Sequence, residues 1–487
     1  MENGLDHRNV CRFAIAFAVL FTCAHMVTLP VGMVYDGLQY IDLSDVLGSS
    51  RFPREWVRVR TPLFPLALKL SFWAFGRQPG AAILVSSSLA LAGIFLVGAT
   101  VRRLVGRVPG AITIVLLSMF PTLVGFEHYV FTEAGSFFFI AFIVYLLVLD
   151  PGNPARMWAK ALCLVVALTA GYYWRSNVLV LAPVAALFHG AAASKGLLVM
   201  SLRRQWRRFL APCAQVGIIL AAPYLLASLW NPYSDPKAVR DLALEIGMIR
   251  QALLPPEHPL VGANAPLYYR SVRESIHNGE FYSGLRFRQL DLLQEKIFAK
   301  PIGQSIPSLF LDLIRKYPDR YFKGLVRTLV CFSGVDGAES EMRAARRVAI
   351  ATVPNIEGEP DPTMHARIRS EFEQRPVPSA LMHALARLTP VYDSWVIAAN
   401  LATLAGFVLA ILLRDARLLA CYAVPLVYVL SYAVFLWSLD RYVVPVTPII
   451  LADSIMVSVV GSRLLAARMK RETPAGPASP RRRGREA

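Results

Sequence analysis

This sequence is short of charged residues. Only 17% of its 487 residues are Asp, Glu, Lys or Arg, whereas 55% are hydrophobic. Soluble globular domains carry about 25% charged residues. Runs of about twenty apolar residues recur along the chain, and each run is long enough to cross a hydrocarbon layer roughly 30 Å thick as a helix. The composition therefore excludes a soluble protein and predicts a polytopic membrane protein.

Cysteine is also scarce, and several common catalytic motifs are missing. The chain has six cysteines, nearly all in or beside apolar segments, and none forms a CxxC pair. This spacing predicts neither a disulfide framework nor a zinc site. We find no Walker loop, no HExxH, no GxSxG and no dinucleotide-binding glycine motif. Any chemistry must therefore come from ionisable residues near the membrane surface.

The charge that is present is mainly basic. Lys and Arg number 51 against 33 Asp and Glu, which gives a net charge of +18. Such an excess can favour nucleic-acid binding, but here Lys and Arg fall in short clusters between apolar segments. Cytoplasmic loops of membrane proteins collect Lys and Arg, so the clusters orient the chain and no nucleic-acid partner is predicted. The basic stretch 481–485 is predicted to be part of a disordered cytoplasmic tail.

The apolar runs predict ten membrane-spanning helices with both termini in the cytoplasm. The first run follows Arg8 and Arg12 and has no small-x-small cleavage site, so it is predicted to be a retained helix and not a signal peptide. One of the shorter spans could instead be a re-entrant segment. The ten predicted spans are 13–33, 80–101, 111–125, 130–149, 162–174, 178–192, 210–229, 395–413, 418–437 and 443–465.

The predicted fold is an all-α polytopic membrane protein with amphipathic juxtamembrane helices and a mainly helical extracytoplasmic segment. The predicted regions are an N-terminal transmembrane module (1–230) with its first outer loop (34–62), an extracytoplasmic segment (231–390), C-terminal transmembrane helices (391–466) and the tail (467–487). In the outer segment, "LFLDLIRKYPDRYFKGLVRTLVCFSG" places Arg320, Lys323 and Arg327 on one helical face. Its apolar face would hold Tyr317, Tyr321, Phe322, Leu325 and Leu329. This pattern is typical of a helix at the membrane interface, although basic side chains at headgroup level explain it equally well.

Ionisable residues at the predicted helix ends gather on the outer side. Each alone could simply meet lipid headgroups, but together they indicate a site, because such groups are costly near hydrocarbon. A carboxylate can act as a general base on a hydroxyl, and one arginine guanidinium can bind two phosphate oxygens at once. The group comprises Asp36, Glu127, His128, Glu133, Arg175, Asp440 and Arg441.

Five segments occur in an order that resembles the GT-C superfamily of membrane glycosyltransferases, and within it the protein mannosyltransferase and aminoarabinose transferase group. An Asp with an aromatic residue four positions later follows the first helix, in "YDGLQYIDLSDVL". An R-x-P-L-F-P segment comes next, in "RTPLFPLALKLSFWAFG", and a Thr-Glu pair opens the fourth predicted helix, in "FTEAGSFFFIAFIVYLL". The last two segments are "YYWRSNVLVLAPVAAL" and "DRYVVPVTPIIL".

The resemblance implies an inverting transfer of sugar from a polyprenyl-phosphate donor to an acceptor hydroxyl. Asp36 would be the base and Glu133 would orient the sugar or the acceptor. Arg441, Arg175 and Arg60 would stabilise the leaving phosphate. Candidates for further substrate contacts are Tyr40, Glu127, His128 and Asp440. The family's usual Asp-Glu pair is Asp36-Gly37 in this chain, which leaves the role of a second carboxylate open.

The expected partners are the polyprenyl-phosphate sugar, a lipid, glycan or protein acceptor, and membrane lipids. No cofactor is predicted with certainty; the acidic residues could hold Mg²⁺ or Mn²⁺, but carboxylate sites lack a diagnostic spacing. The expected location is the plasma membrane, in a bacterium the inner membrane, with the site outside the cytoplasm. A transporter or flippase of a lipid-linked sugar is the main alternative, but it would place ionisable residues at the midplane and show paired broken helices.

Overall fold

The computed structural model describes residues 7–32, 35–48, 60–150, 152–194, 206–229, 236–250, 253–255, 257–262, 297–298, 304–333, 370–372, 380–434 and 444–472. Within these residues the fold is helical, and the one β-type pairing is an isolated bridge between Gly32 and Tyr129. The helices are α1 (His7–Thr28), α2 (Tyr35–Val46), α3 (Leu63–Phe75), α4 (Pro79–Val105), α5 (Arg107–Ser118), α6 (Pro121–His128), α7 (Glu133–Val148), α8 (Pro154–Trp174), a 3₁₀ helix η1 (Ser176–Leu181), α9 (Ala182–Ser194), α10 (Trp206–Ser228), α11 (Pro236–Arg250), α12 (Ile306–Lys316), α13 (Pro318–Ser333), α14 (Ala380–Leu412), α15 (Ala416–Val434) and α16 (Thr447–Glu472).

Eight helices in the described part of the chain are long and apolar enough to cross a membrane, which confirms the all-α polytopic fold. A ninth span results if α5 and α6 count as one helix bent by 50°. Pro121 opens α6, and proline can neither continue the preceding helix nor donate a backbone hydrogen bond. The remaining predicted span, 130–149, corresponds to α7, which has only 16 residues.

The packing centre of the membrane part is α4, which lies against both α5 and α7. Small residues allow these helices to approach closely, as is usual where lipid surrounds a helix bundle. At Gly98 of α4 an added Cβ would lie 2.3 Å from Cγ1 of Ile114 on α5. This contact therefore fixes α4 and α5 side by side, directly before the bend that leads to α6.

A second, smaller core joins α11, α12 and α13 of the segment 231–390, which the sequence predicts to be extracytoplasmic. Leu309, Phe310 and Leu313 of α12 are buried in it. Tyr321 of α13 donates a hydrogen bond from its hydroxyl to the carbonyl of Val434 at the end of α15, with an O···O distance of 2.9 Å. This contact ties the outer segment to the C-terminal membrane helices.

The predicted two faces of α13 are only partly reproduced by the packing. Tyr321, Leu325 and Leu329 pack against buried residues, as the apolar face predicts. Phe322, assigned to the same face, is instead 64% exposed. The side chain of Arg327 lies outside the described set. The helix thus has a covered face along Tyr321 and Leu325, next to an exposed aromatic ring.

Candidate functional site

The first part of the site lies on α2, the helix of the loop 34–62. Asp36 is in the first turn of α2, where the structure describes its backbone. Gln39 and Tyr40 follow three and four residues later, so they lie on the same helical face as Asp36. Arg60 donates hydrogen bonds to Oε1 of Gln39 from Nε at 3.0 Å and from Nη2 at 2.6 Å. Its guanidinium carbon also lies 5.0 Å from the centre of the Tyr40 ring.

The second part of the site is a buried ion pair. Nη1 of Arg175 lies 2.7 Å from Oε1 of Glu133, and the two side chains are 9% and 3% exposed. The same nitrogen donates to the hydroxyl of Thr132 at 3.1 Å. Glu133 is the first residue of α7 and Arg175 directly follows the last residue of α8. The carboxylate therefore lies at a helix N-terminus, where the helix dipole favours negative charge.

Aromatic residues connect these two parts. The ring centre of Phe64 lies 4.9 Å from those of both Tyr40 and Trp174. Nε1 of Trp174 donates to the Thr132 carbonyl at 2.8 Å, and the Thr61 hydroxyl donates to the Trp174 carbonyl at 2.8 Å. The group around Arg60 and the group around Arg175 are thus neighbours in one cluster.

The start of α2 also packs directly on the segment that leads to Glu133. A Cβ added at Gly37 would lie 3.3 Å from both the Cβ and the carbonyl oxygen of Val130. The backbone N–H of Gly32 donates to the His128 carbonyl at 3.0 Å. The backbone beside Asp36 is therefore in contact with the 128–132 segment, a few residues before Glu133.

Glu127 and His128 lie in a different cluster from Arg60 and Arg175. Glu127 is 2% exposed and His128 is 1% exposed. Their described side-chain contacts include His25 of α1, whose Nδ1 is 2.9 Å from Nε2 of His128 and whose Nε2 is 3.5 Å from Oε2 of Glu127. Their predicted role in substrate binding stays a prediction.

The remaining two predicted residues, Asp440 and Arg441, lie outside the described residues. The helix that leads to them nevertheless ends beside the site. Tyr432, two residues before the end of α15, accepts a hydrogen bond from the side-chain amide of Asn177 in η1. Because Asn177 is two residues after Arg175, the described end of α15 lies near the Glu133–Arg175 pair.

An ion-pair cluster holds the other end of α2. Arg77 contacts Asp45 of α2 and places its Nε 2.8 Å from Oε2 of Glu371. Partial burial opposes the charge of Arg77, but its bonds to the two carboxylates raise its pKa above the ordinary value. Phe372, which is fully buried, lies 5.4 Å from Phe72 between ring centres. Residues 370–372 of the outer segment are therefore attached beside α2.

The sequence interpretation missed several residues that build the site. Most of them directly adjoin a predicted residue, and that adjacency was the available signal: Thr132 precedes Glu133, and Trp174 precedes Arg175. The missed residues are Gln39, Thr61, Phe64, Thr132 and Trp174. In the described part of the chain, no group of three or more His, Cys, Asp or Glu residues could hold a metal ion.

Comparisons with known proteins give a distant structural likeness. No protein family and no curated protein matches this chain. Four chains of solved structures match. They include ArnT from Cupriavidus metallidurans bound to undecaprenyl phosphate and the same protein in the apo state. Each is 15% identical and covers 96% of this chain and 81% of its own, with a TM-score of 0.36. A likeness at this level carries no conclusion about chemistry.

Proposed function

We propose that this protein is an inverting glycosyltransferase that moves a sugar from a polyprenyl phosphate to an acceptor hydroxyl at the outer face of the membrane. One observation carries the proposal. Arg60 binds Gln39 on the face of α2 that also holds Asp36, and the aromatic rings of Tyr40, Phe64 and Trp174 connect this face to the buried Glu133–Arg175 pair. A base and two guanidinium groups in one place suit the displacement of a phosphate by an alcohol.

In the proposed reaction Asp36 takes the proton of the acceptor hydroxyl. The acceptor oxygen then attacks the anomeric carbon from the face opposite the phosphate, and the bond from this carbon to the phosphate oxygen breaks. The lipid phosphate leaves with the electron pair, and Arg60, Arg175 and Arg441 stabilise its charge. A guanidinium has five N–H donors, so Arg175 can bind Glu133 and Thr132 while it also contacts phosphate oxygens.

The identity of the lipid tests this proposal most directly. Mass spectrometry of the lipid that copurifies with the protein should detect a polyprenyl phosphate or its glycosylated form. Incubation of the purified protein with the glycosylated lipid and a membrane extract should then release free polyprenyl phosphate and invert the anomeric configuration. Movement of the intact glycolipid across vesicles without cleavage would identify a flippase and overturn the proposal.

Arg441 is expected to bind the donor phosphate. Lysine keeps the charge but loses the planar fork, so Arg441→Lys should weaken the binding of polyprenyl phosphate and Arg441→Ala should weaken it further. A hydrogen bond to a charged group is worth about 1.5–3 kcal/mol, which corresponds to roughly 10–100-fold in affinity. Native mass spectrometry in detergent can measure this affinity. A matched control is Arg315→Ala, because Arg315 is 78% exposed and pairs within its own helix.

The proposal also requires the site to face away from the cytoplasm. In a background without native cysteines, cysteines at Ser49 and Gly262 should react with an impermeant maleimide from outside. Cysteines at Ser201 and Ala475 should react only after the membrane is opened. The reverse pattern for either pair would place the site on the cytoplasmic side and refute the use of an outer-face donor.

A further inference from the structure

Three buried ionisable residues lie together where α1 meets α6 and have no part in the proposed reaction. They are His25 of α1 and Glu127 and His128 of α6, all 2% exposed or less. Besides the two contacts of His25, Nδ1 of His128 lies 3.2 Å from the carbonyl oxygen of Pro30, whereas Oε2 of Glu127 has no hydrogen-bond partner among the described residues. Buried polar groups in a membrane protein are costly unless they are paired. The cluster is therefore a candidate for a functional role.

The protons of this cluster can be counted from its geometry. The described polar contacts of the two histidine rings are three: His128 with the Pro30 carbonyl, His128 with His25, and His25 with Glu127. The first two are hydrogen bonds, and each needs one proton between its two atoms, which the two neutral imidazoles supply. The third is an ion-pair contact of 3.5 Å, and Oε2 of Glu127 has no hydrogen-bond partner among the described residues. A third proton, on His25 or on Glu127, would turn this contact into a hydrogen bond and leave the cluster as a whole neutral.

The cluster lies where two loops leave the membrane helices. One loop runs from α1 to α2 and leads to Asp36; the other runs from α6 to α7 and leads to Glu133. The histidine contacts join the two loops at Pro30 and His128, and the Gly32 N–H to His128 carbonyl bond joins them again. A few residues further along the two segments, Gly37 packs on Val130.

We propose that His25, Glu127 and His128 form a proton-sharing triad that positions the two loops leading to Asp36 and Glu133. The proposal rests on the proposed function in so far as these two carboxylates act in the reaction. All three residues are positioning residues: they contact each other and the loop backbone, and their effect on catalysis passes through Asp36 and Glu133. In this proposal Glu127 and His128 act through the loops, which is an alternative to the substrate contact predicted from the sequence.

The test compares two Glu127 variants of similar size in a background without native cysteines. Glutamine can donate an amide N–H to Nε2 of His25 and so replaces the third proton, whereas methionine cannot. The position of the loops is read from a disulfide between Gly37→Cys and Val130→Cys. The 3.3 Å separation from an added Cβ at Gly37 to the Val130 Cβ, close to the usual Cβ–Cβ distance of about 3.8 Å, makes this bridge feasible.

The expected result is a fast cross-link in the parent protein and in Glu127→Gln, and a slow one in Glu127→Met. Turnover should follow the same order. The kcat of Glu127→Gln should stay within about threefold of the parent. The kcat of Glu127→Met should fall about tenfold or more at unchanged KM, because small misplacements of catalytic groups are costly. His189→Phe is the control: it removes a buried histidine that binds Gln215 far from these loops in sequence, and it should leave the cross-link unchanged even if it lowers thermal stability.

Three results would overturn the proposal. The first is a parent protein that forms no cross-link, since the loops would then not be adjacent. The second is equal cross-linking rates in the Gln and Met variants, which would show that the third proton has no role. The third is a slow cross-link in the Met variant with unchanged kcat, which would confine the triad to stability. A protein that cross-links as expected but transfers no sugar would refute the proposed function and leave the triad's structural role standing.

Discussion

Glu133→Ala is expected to lower the free energy of unfolding by about 3–5 kcal/mol, the usual effect of removing one partner of a buried ion pair. The carboxylate lies 2.7 Å from the Arg175 guanidinium, and both side chains are at most 9% exposed. Without it, the positive charge of Arg175 loses its close counter-charge in a place that water barely reaches. A denaturant titration in mixed micelles measures the change. Catalysis should also be lost, since Glu133 is proposed to orient the sugar or the acceptor.

Two further variants make this prediction specific. Asp312→Ala removes one partner of an exposed pair, with side chains 78% and 39% exposed, and should cost at most about 1 kcal/mol. The double variant Glu133→Leu with Arg175→Met should be more stable than Glu133→Ala alone, because two apolar groups avoid a buried charge. If Glu133→Ala costs no more than Asp312→Ala, the Glu133–Arg175 contact does not stabilise the fold.

The membrane architecture could be predicted because hydropathy alone decides which segments are able to span. Local backbone geometry explains why two of the observed helices are shorter than the apolar runs that predicted them. Residues 111–125 look like one apolar run, but Pro121 ends α5 at Ser118 and starts α6 at an angle of 50°. In the same way, Glu133 begins α7 after the non-helical segment 129–132, so α7 is shorter than the apolar run from 130 to 149.

Arg60, Glu133 and Arg175 could be named from the sequence as candidates, but their contacts in the structure could not. Arg175 and Glu133 are 42 residues apart, and they meet because Trp174 packs closely on Gly135, where an added Cβ would lie 2.2 Å from the indole. That contact depends on how α7 and α8 pack, which no local pattern encodes. The same holds for Arg77 and Glu371, which are separated by 294 residues.

Helix geometry also explains why the outer carboxylates divide into two clusters. The sequence places Glu127, His128 and Glu133 on one short outer turn. In the structure α6 ends at His128 and the non-helical segment 129–132 follows, so the first two side chains contact His25 of α1 while Glu133 contacts Arg175. Glu127, His128 and Glu133 are therefore close in sequence, but only Glu133 belongs to the cluster that contains Arg175.

Asp36→Asn is expected to lower the rate of sugar transfer by at least about 10²-fold while the protein remains folded and in the membrane, because the amide keeps the shape of the carboxylate but cannot accept a proton. Single-turnover transfer from the glycosylated polyprenyl phosphate measures the chemical step. The pH dependence gives a second readout: the fall in rate that the parent shows as acid protonates its base should be absent from the residual activity of the Asn variant.

The same substitution at the other end of α2 provides the matched control for Asp36. Asp45 lies nine residues further along, about 180° around the helix from Asp36, where it contacts Arg77. Asp45→Asn changes the charge of α2 equally but removes no group from the face shared with Gln39 and Tyr40, so it should keep most of the transfer rate. Near-normal turnover in Asp36→Asn would assign the base to another carboxylate of the first loop or to Glu133. A large loss in Asp45→Asn with none in Asp36→Asn would assign the base to Asp45 or show that α2 acts through its attachment to Arg77, and in either case the assignment of Asp36 would be wrong.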